Sequence, residues 1–430
     1  MGEAAAAAVR EWGHVTFFSP WRFNVNAAAR ALLEPTGWQH PEPDVDPKGH
    51  ELVARYLAPL AAHPSIAPNL RLASKVVAVT RQGMDRVPSK GRERRPFEIT
   101  IQTKQGEERL LARAVIDACG TWRSPNPAGA SGVPARGERA AHARIRYRIP
   151  DAAGTERGRY AGRRVAVIGA GHSAMDGLLS LARLKREVPA TEILWLLRHA
   201  PDAKTYGGGV EDKLSSRGAL GQRVKALVDS GLIEIVAPFR TAAFVPSGGG
   251  LSIDGEVGRV VVDEAIVATG FRPDFSMLSE IRLDLHPWLE CPRVLGPLID
   301  PNEHSCGDVP PHGAIELSQP EADFYIAGMK SYGRAPTFLL ATGYEQVRSI
   351  VAALAGDWAA ARETRLVLPE TGVCEGIGHV EELAVTASGC CGGPPKSNAE
   401  ACCVKDEVAK AEGEAGCGCG SAPSRAAIVS

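Results

Sequence analysis

The stretch Arg164–Ala174, RVAVIGAGHSA, decides the fold. Arg164–Ile168 reads as a buried strand, and the turn Gly169-Ala170-Gly171 opens a helix. In that helix Met175, Leu178, Leu179 and Ala182 recur at i, i+3, i+4, i+7 spacing, and the pattern stops before Pro189. EILWLL, Glu192–Leu197, follows as a second apolar strand. Strand, Gly turn, helix and strand in that order make a βαβ unit, and hence a parallel, doubly wound α/β sheet. A helix over Leu220–Ser230, a strand Ile233–Val236, small β elements to Val262 and the closing run Asp263–Thr269 complete the unit at Gly270.

The turn matches G-x-G-x-x-G/A in the context that gives this pattern its mechanism. Gly169 makes the tight turn, Gly171 lets backbone approach a pyrophosphate, and Ala174 keeps the helix close to the strand, with Ser173 in the first turn. Free N–H groups and the positive end of the helix then face the phosphates. The end of the next strand selects the nicotinamide: a carboxylate there suits the ribose of NAD, a cation the 2′-phosphate of NADP. The chain has Leu197-Arg198-His199, with Lys204 shortly after, so Arg198 points to NADPH; the plainer reading is an exposed arginine at a strand end.

Working outward, AVIDACG (Ala114–Gly120) echoes EAIVATG (Glu264–Gly270), each an apolar strand ending in Ala, a small residue and Gly. Two such closures imply two dinucleotide-binding units. The reading assigns residues 1–160 to a flavin-type domain, 161–275 to a nicotinamide domain, 276–360 to a return into the first domain through Phe324–Gly328 and a helix over Phe338–Leu354, and 361–430 to a tail. Ahead of Ala114, residues 1–50 read as irregular. His50–His63 reads as a helix weakened by Pro59, and Leu70–Thr80 and Phe97–Thr103 as strands divided by the charged loop Asp85–Arg95. The first domain has no Gly turn of its own in this sequence, which leaves two readings, a start placed too late or a truncated domain that no longer binds its nucleotide.

Composition bounds the partners. Forty-nine basic against fifty acidic residues give a net charge of −1, with no basic stripe, so nucleic acid is not an expected partner. No apolar run is long enough to span a bilayer, and the start lacks the basic region of a secretory signal, so a cytoplasmic protein is expected. Of ten cysteines only Cys119, Cys291 and Cys306 precede residue 370. After Trp358 there is no Phe, Trp or Tyr, so the tail lacks the means to bury a core and reads as disordered. It carries Cys390-Cys391, Cys402-Cys403 and Cys417-Gly418-Cys419, close pairs that suit chelation of a soft ion such as As(III), Hg(II), Cu(I) or Zn(II). Cysteines gathered by chance in a polar tail are the plainer reading. His304, Cys306 and His312 read as loop residues, and the body has no C-x-x-C dithiol.

Over residues 10–355 the chain resembles the flavin-containing monooxygenase-like group of two-dinucleotide-domain flavoproteins, and within it bacterial flavoproteins encoded with arsenic or other metal resistance genes. The resemblance rests on Val9–His14 with Phe18-Ser19-Pro20-Trp21, on Ile116–Trp122, on Gly169–Ala174, on Ala268–Asp274 and on FYIAGMKSYGRAPTFLLATG, Phe324–Gly343. It implies FAD in the first domain, NADPH in the second and hydride transfer between them. Trp12, Ser19, Gly120, Trp122, Gly270 and Gly328 then fall on cofactor-binding positions. Trp12, Trp21 and Trp122 read equally well as core. The chain departs from the pattern in lacking the flavin pyrophosphate turn and in having Gly328-Met329-Lys330 where many relatives place Gly-Asp. The function expected is an NADPH-dependent flavoprotein oxidoreductase with a soft-metal-binding tail, similar in outline to mercuric reductase. The alternative is a metal sequestration or transfer protein built on a catalytically silent scaffold.

Overall fold

The computed structural model describes residues 2–207, 215–303, 309–335 and 338–366. The tail cysteines, His304 and Cys306 lie outside the described residues. Three antiparallel strands come first, β1 (Lys75–Arg81), β2 (Phe97–Thr103) and β3 (Gly106–Ala112), followed by the short β4 (Val115–Asp117). Next come β5 (Ile145–Tyr147), β6 (Arg164–Ile168), β7 (Glu192–Leu196) and β8 (Glu234–Val236). An antiparallel meander, β9 (Thr241–Ser247), β10 (Gly250–Gly255) and β11 (Arg259–Val262), leads into β12 (Glu264–Val267), and β13 (Phe324–Ile326) comes last. The helices that matter most are α1 (His172–Glu187), α2 (Ser215–Asp229) and α3 (Leu340–Leu354).

The parallel sheet expected from Arg164–Ala174 has five strands in the order β5-β12-β6-β7-β8. Alternate residues of its strands feed two cores. Val165, Val167, Ile193, Trp195, Ile266 and Ala268 pack against α1 and α2 on one face. Ala166, Ile168, Leu194, Leu196, Ala265 and Val267 pack against the meander on the other. A strand covered on both sides needs apolar residues at every position, which is why RVAVI and EILWL read as continuous runs.

A second parallel sheet has two strands, β13-β4, paired from Phe324↔Val115 to Ile326↔Asp117. Tyr325 and Ala327 face one cluster with α3, and Phe324 and Ile326 face another with β1 and β2.

Several sequence expectations need correction. Residues 1–50 are not irregular throughout: helical turns occupy Ala7–Glu11, Trp21–Asn24 and Ala27–Leu33, the last capped by the Asn26 carboxamide on the N–H groups of Ala28 and Ala29. The closing strand expected in Ala114–Gly120 is the short β4, and the residues just ahead of it, to Ala112, form β3 in a different sheet. Pro59 does not end its helix. The chain widens to a π turn over Val53–Leu57 and resumes over Ala58–Ala62, which absorbs the missing N–H. The charged loop Asp85–Arg95 is not all solvated. Arg92 and Arg81 are buried on the Glu321 carboxylate, at 2.8 and 2.7 Å. Among the described residues no helix is long and apolar enough to cross a membrane.

Candidate functional site

Gly169 sits at φ +126°, and a Cβ there would lie 2.4 Å from the Ala268 carbonyl oxygen. Only glycine lets β6 and β12 approach this closely at the turn. The Trp195 indole, fully buried on β7, donates to the Gly169 carbonyl at 2.7 Å and fixes the turn from below. Gly171 is the N-cap of α1, with no side-chain cap, and a Cβ added there would meet nothing within 4 Å. The backbone thus opens toward solvent where a phosphate would sit. Ala174 is completely buried between helix and strand, and Ser173 stands half-buried in the first turn. Just past β7, Arg198 and His199 are exposed, and among the described residues neither side chain has a hydrogen-bond or ion-pair partner.

The two closures are glycine turns of the same hand, Gly120 at φ +69° and Gly270 at φ +87°. They are stitched together through Asn126, whose N–H donates to the Gly270 carbonyl at 2.9 Å and whose side chain donates to Thr269 O at 3.0 Å. One aromatic residue follows each turn, and the two meet: Trp122 and Phe271 have ring centroids 5.1 Å apart. Trp12 joins them 6.3 Å from Trp122. Trp12 and Trp122 are half-buried, whereas Trp21 is core at 1% exposure. Glu11 organises the rim. Its carboxylate accepts from the Trp122 indole at 2.8 Å and pairs with Arg148 at 2.9 Å and Arg123 at 2.5 Å. Arg148 lies 4.8 Å over the Trp122 ring and is held at φ +80°, a conformation that costs a non-glycine residue about 1–3 kcal/mol. Ser19, expected beside a cofactor, is buried and donates its hydroxyl to Asn24 Oδ1 at 3.0 Å.

Beneath Gly120 lies a group that sequence reasoning missed. Lys330 is fully buried, and its ammonium donates to Asp117 Oδ2 at 2.6 Å, with Cys119 Sγ 3.5 Å away. Although its surface is exposed, the protein packed around Cys119 and the Asp117 carboxylate push its thiol up to about 11, against the opposing pull of Lys330. Cys119 is exposed and Cys291 buried, and both are free. The signal was present in the sequence: an aspartate ending the apolar strand AVID needs a counter-charge. Gly328, at φ +70°, begins the turn that carries Lys330, and a Cβ added there would meet nothing within 4 Å. Among the described residues no group of three or more His, Cys, Asp or Glu is placed to hold a metal.

This is a mixed α/β fold with the parallel sheets of FAD- and NAD(P)-binding Rossmann-type flavoproteins. Two solved structures illustrate the likeness. Bacillithiol disulfide reductase Bdr from Bacillus cereus superposes with a TM-score of 0.55 at 16% identity, over 82% of this chain and 86% of that one. DfoA bound to FAD, the cadaverine monooxygenase of desferrioxamine biosynthesis from Erwinia amylovora, gives 0.56 at 10% identity, over 88% and 91%. No family model matches the chain, and no curated protein matches it either.

Proposed function

We propose that the protein is an NADPH-dependent flavoprotein oxidoreductase. The observation that carries this reading is the Gly169–Ala174 turn, open above Gly171 and followed at the end of β7 by the exposed Arg198, which has no partner among the described residues. NADPH fits these residues: α1 receives the pyrophosphate, Gly171 gives it room, and Arg198 takes the 2′-phosphate as a charge-assisted fork. For FAD the described residues supply one side of a site. The turns Gly120 and Gly328 and the uncapped start of α3 face it, but no Gly-rich pyrophosphate turn stands beside β4 among them. NADPH supplies a hydride, and a flavin is the group able to accept it. The chain's own part is to hold the pyrophosphate at the Gly169 turn, which Trp195 fixes from below, with the aromatic cluster of Trp12, Trp122 and Phe271 beside the two glycine closures.

The printed activities of the neighbours are disulfide reduction and monooxygenation. Among the described residues the two cysteines, Cys119 exposed and Cys291 buried, are not paired with each other, which favours chemistry at the flavin over a dithiol relay between them. A soft-metal role for Cys390, Cys391, Cys402, Cys403, Cys417 and Cys419, and a link to arsenic resistance, rest on spacing and resemblance alone.

The test follows reduction of added FAD by NADPH and by NADH in wild type and Arg198→Ala. Losing a charge-assisted contact of roughly 1.5–3 kcal/mol lowers kcat/KM for NADPH about 10–150-fold and leaves NADH nearly unchanged. No reduction by either nucleotide in wild type overturns the oxidoreductase reading. Equal losses for both nucleotides return Arg198 to a plain surface role.

A further inference from the structure

Gly328 is gripped by both of its backbone polar groups. Its N–H donates to Gln346 Oε1 at 2.7 Å, its carbonyl accepts from the Ser331 hydroxyl at 2.7 Å, and Ser331 Oγ accepts from Gln346 Nε2 at 2.9 Å. The three bonds form a closed ring with one direction. Reversing the Gln346 carboxamide would set donor against donor at the Gly328 N–H. His312 fixes that direction. Its Nδ1 lies 3.0 Å from the Pro310 carbonyl, which only accepts, so Nδ1 carries the hydrogen and Nε2 presents a lone pair. The second Gln346 N–H fills it at 2.9 Å. Gln346 and Ser331 are fully buried and His312 is 5% exposed, so a broken member of the ring has little water to turn to.

We infer that Gln346 is a positioning residue for the Gly328 turn and that the proton on His312 decides whether it holds. With the ring neutral, Gln346 clamps Gly328. With Nε2 protonated, two N–H donors face each other, the carboxamide turns over and the Gly328 N–H loses its acceptor. Among the described residues, the charged and titratable groups around His312 come from three elements. Glu316, in its own loop, accepts the Gly313 N–H and favours the charged ring. Lys330, on the turn, is spent on Asp117, and Glu345, on α3, is paired with Arg348. The Tyr332 ring lies 5.5 Å away. Burial outweighs Glu316 and holds the imidazole below the ordinary histidine range, so the clamp is closed at neutral pH and opens in mild acid. The same turn carries Lys330 to Asp117 beneath Gly120, so release is felt at both glycine turns. For its functional consequence the inference rests on reading those turns as cofactor-facing.

The test is amide hydrogen exchange of Gly328 in the full chain, corrected for the intrinsic rate. Between about pH 7.5 and about pH 5 the corrected rate in wild type rises roughly tenfold or more, and in His312→Phe it loses its pH dependence. Unchanged protection across that range in wild type overturns the inference. Should His312→Phe fail to fold, the ring tautomer of wild type decides by NMR: Nδ1–H at neutral pH supports the clamp, and Nε2–H overturns it. FAD affinity measured over the same range separates the two claims. Exchange that responds while affinity does not leaves the clamp standing and removes the cofactor-facing reading of Gly328.

Discussion

β12 and β4 end alike, in Ala268-Thr269-Gly270 and Ala118-Cys119-Gly120, yet their surroundings differ. β12 is paired on both edges, by β5 and β6, and is buried except at its first residue. Among the described residues β4 is paired only by β13, and Ala118 and Cys119 beyond it are exposed. The larger sheet coheres through two apolar cores. The smaller one also lies between two apolar clusters, and it has in addition a buried ion pair, Asp117 with Lys330, at the end of β4. A closing motif alone therefore does not report how its strand is stabilised; the neighbours on either edge do.

The strongest way to break this comparison is Lys330→Met. It strands the Asp117 carboxylate in the core without a counter-charge and costs about 3–5 kcal/mol of unfolding free energy in urea titrations. Replacing Asp117 by Leu in the same chain recovers most of the loss. A single-variant cost under about 1 kcal/mol would show that the small sheet does not depend on the pair. On the five-stranded side, Gly169→Ala asks how tightly β6 and β12 close. An alanine at φ +126° whose Cβ meets the Ala268 carbonyl costs about 2–4 kcal/mol, read by the same titration, and NADPH binding weakens with it.

The smallest effect probes how dry the helix-covered face is. Asp176 on α1 is half-buried with no hydrogen-bond partner among the described residues, and burial, partly offset by Arg223, pushes its carboxyl up to about 7. A carboxyl whose pKa is raised on folding favours the native state while protonated. Its contribution is complete below about pH 4 and is lost as pH rises through about 7. Asp176→Asn removes that loss and stabilises the protein by about 1–2 kcal/mol at pH ~8, with little change at pH ~4. Thermal unfolding at the two pH values measures it.

The five-stranded sheet was legible because its signals are local. An apolar run, two glycines and a 3.6-residue period all fall within Arg164–Ala182. The small sheet was legible as two strands but not as a pair bound by charge, since Asp117 and Lys330 stand 213 residues apart. The Glu321 carboxylate is as distant from Arg92, 229 residues, so nothing local in the charged loop marks that arginine as buried. Gln346 lies in an amphipathic helix where a glutamine looks like surface. Only the fold shows that it is completely buried and saturated with hydrogen bonds.

The pairing of β4 with β13 also sets an order of assembly. The five-stranded sheet is completed from one continuous stretch, Ile145 to Val267, whereas β4 must wait for a partner about two hundred residues downstream. At ribosomal rates of roughly 5–20 residues per second that interval is about 10–40 s. Through all of it the Asp117 carboxylate has no lysine, and before that lysine is made the five-stranded sheet already has every strand it needs. The nascent chain can therefore complete its middle stretch before the small sheet closes.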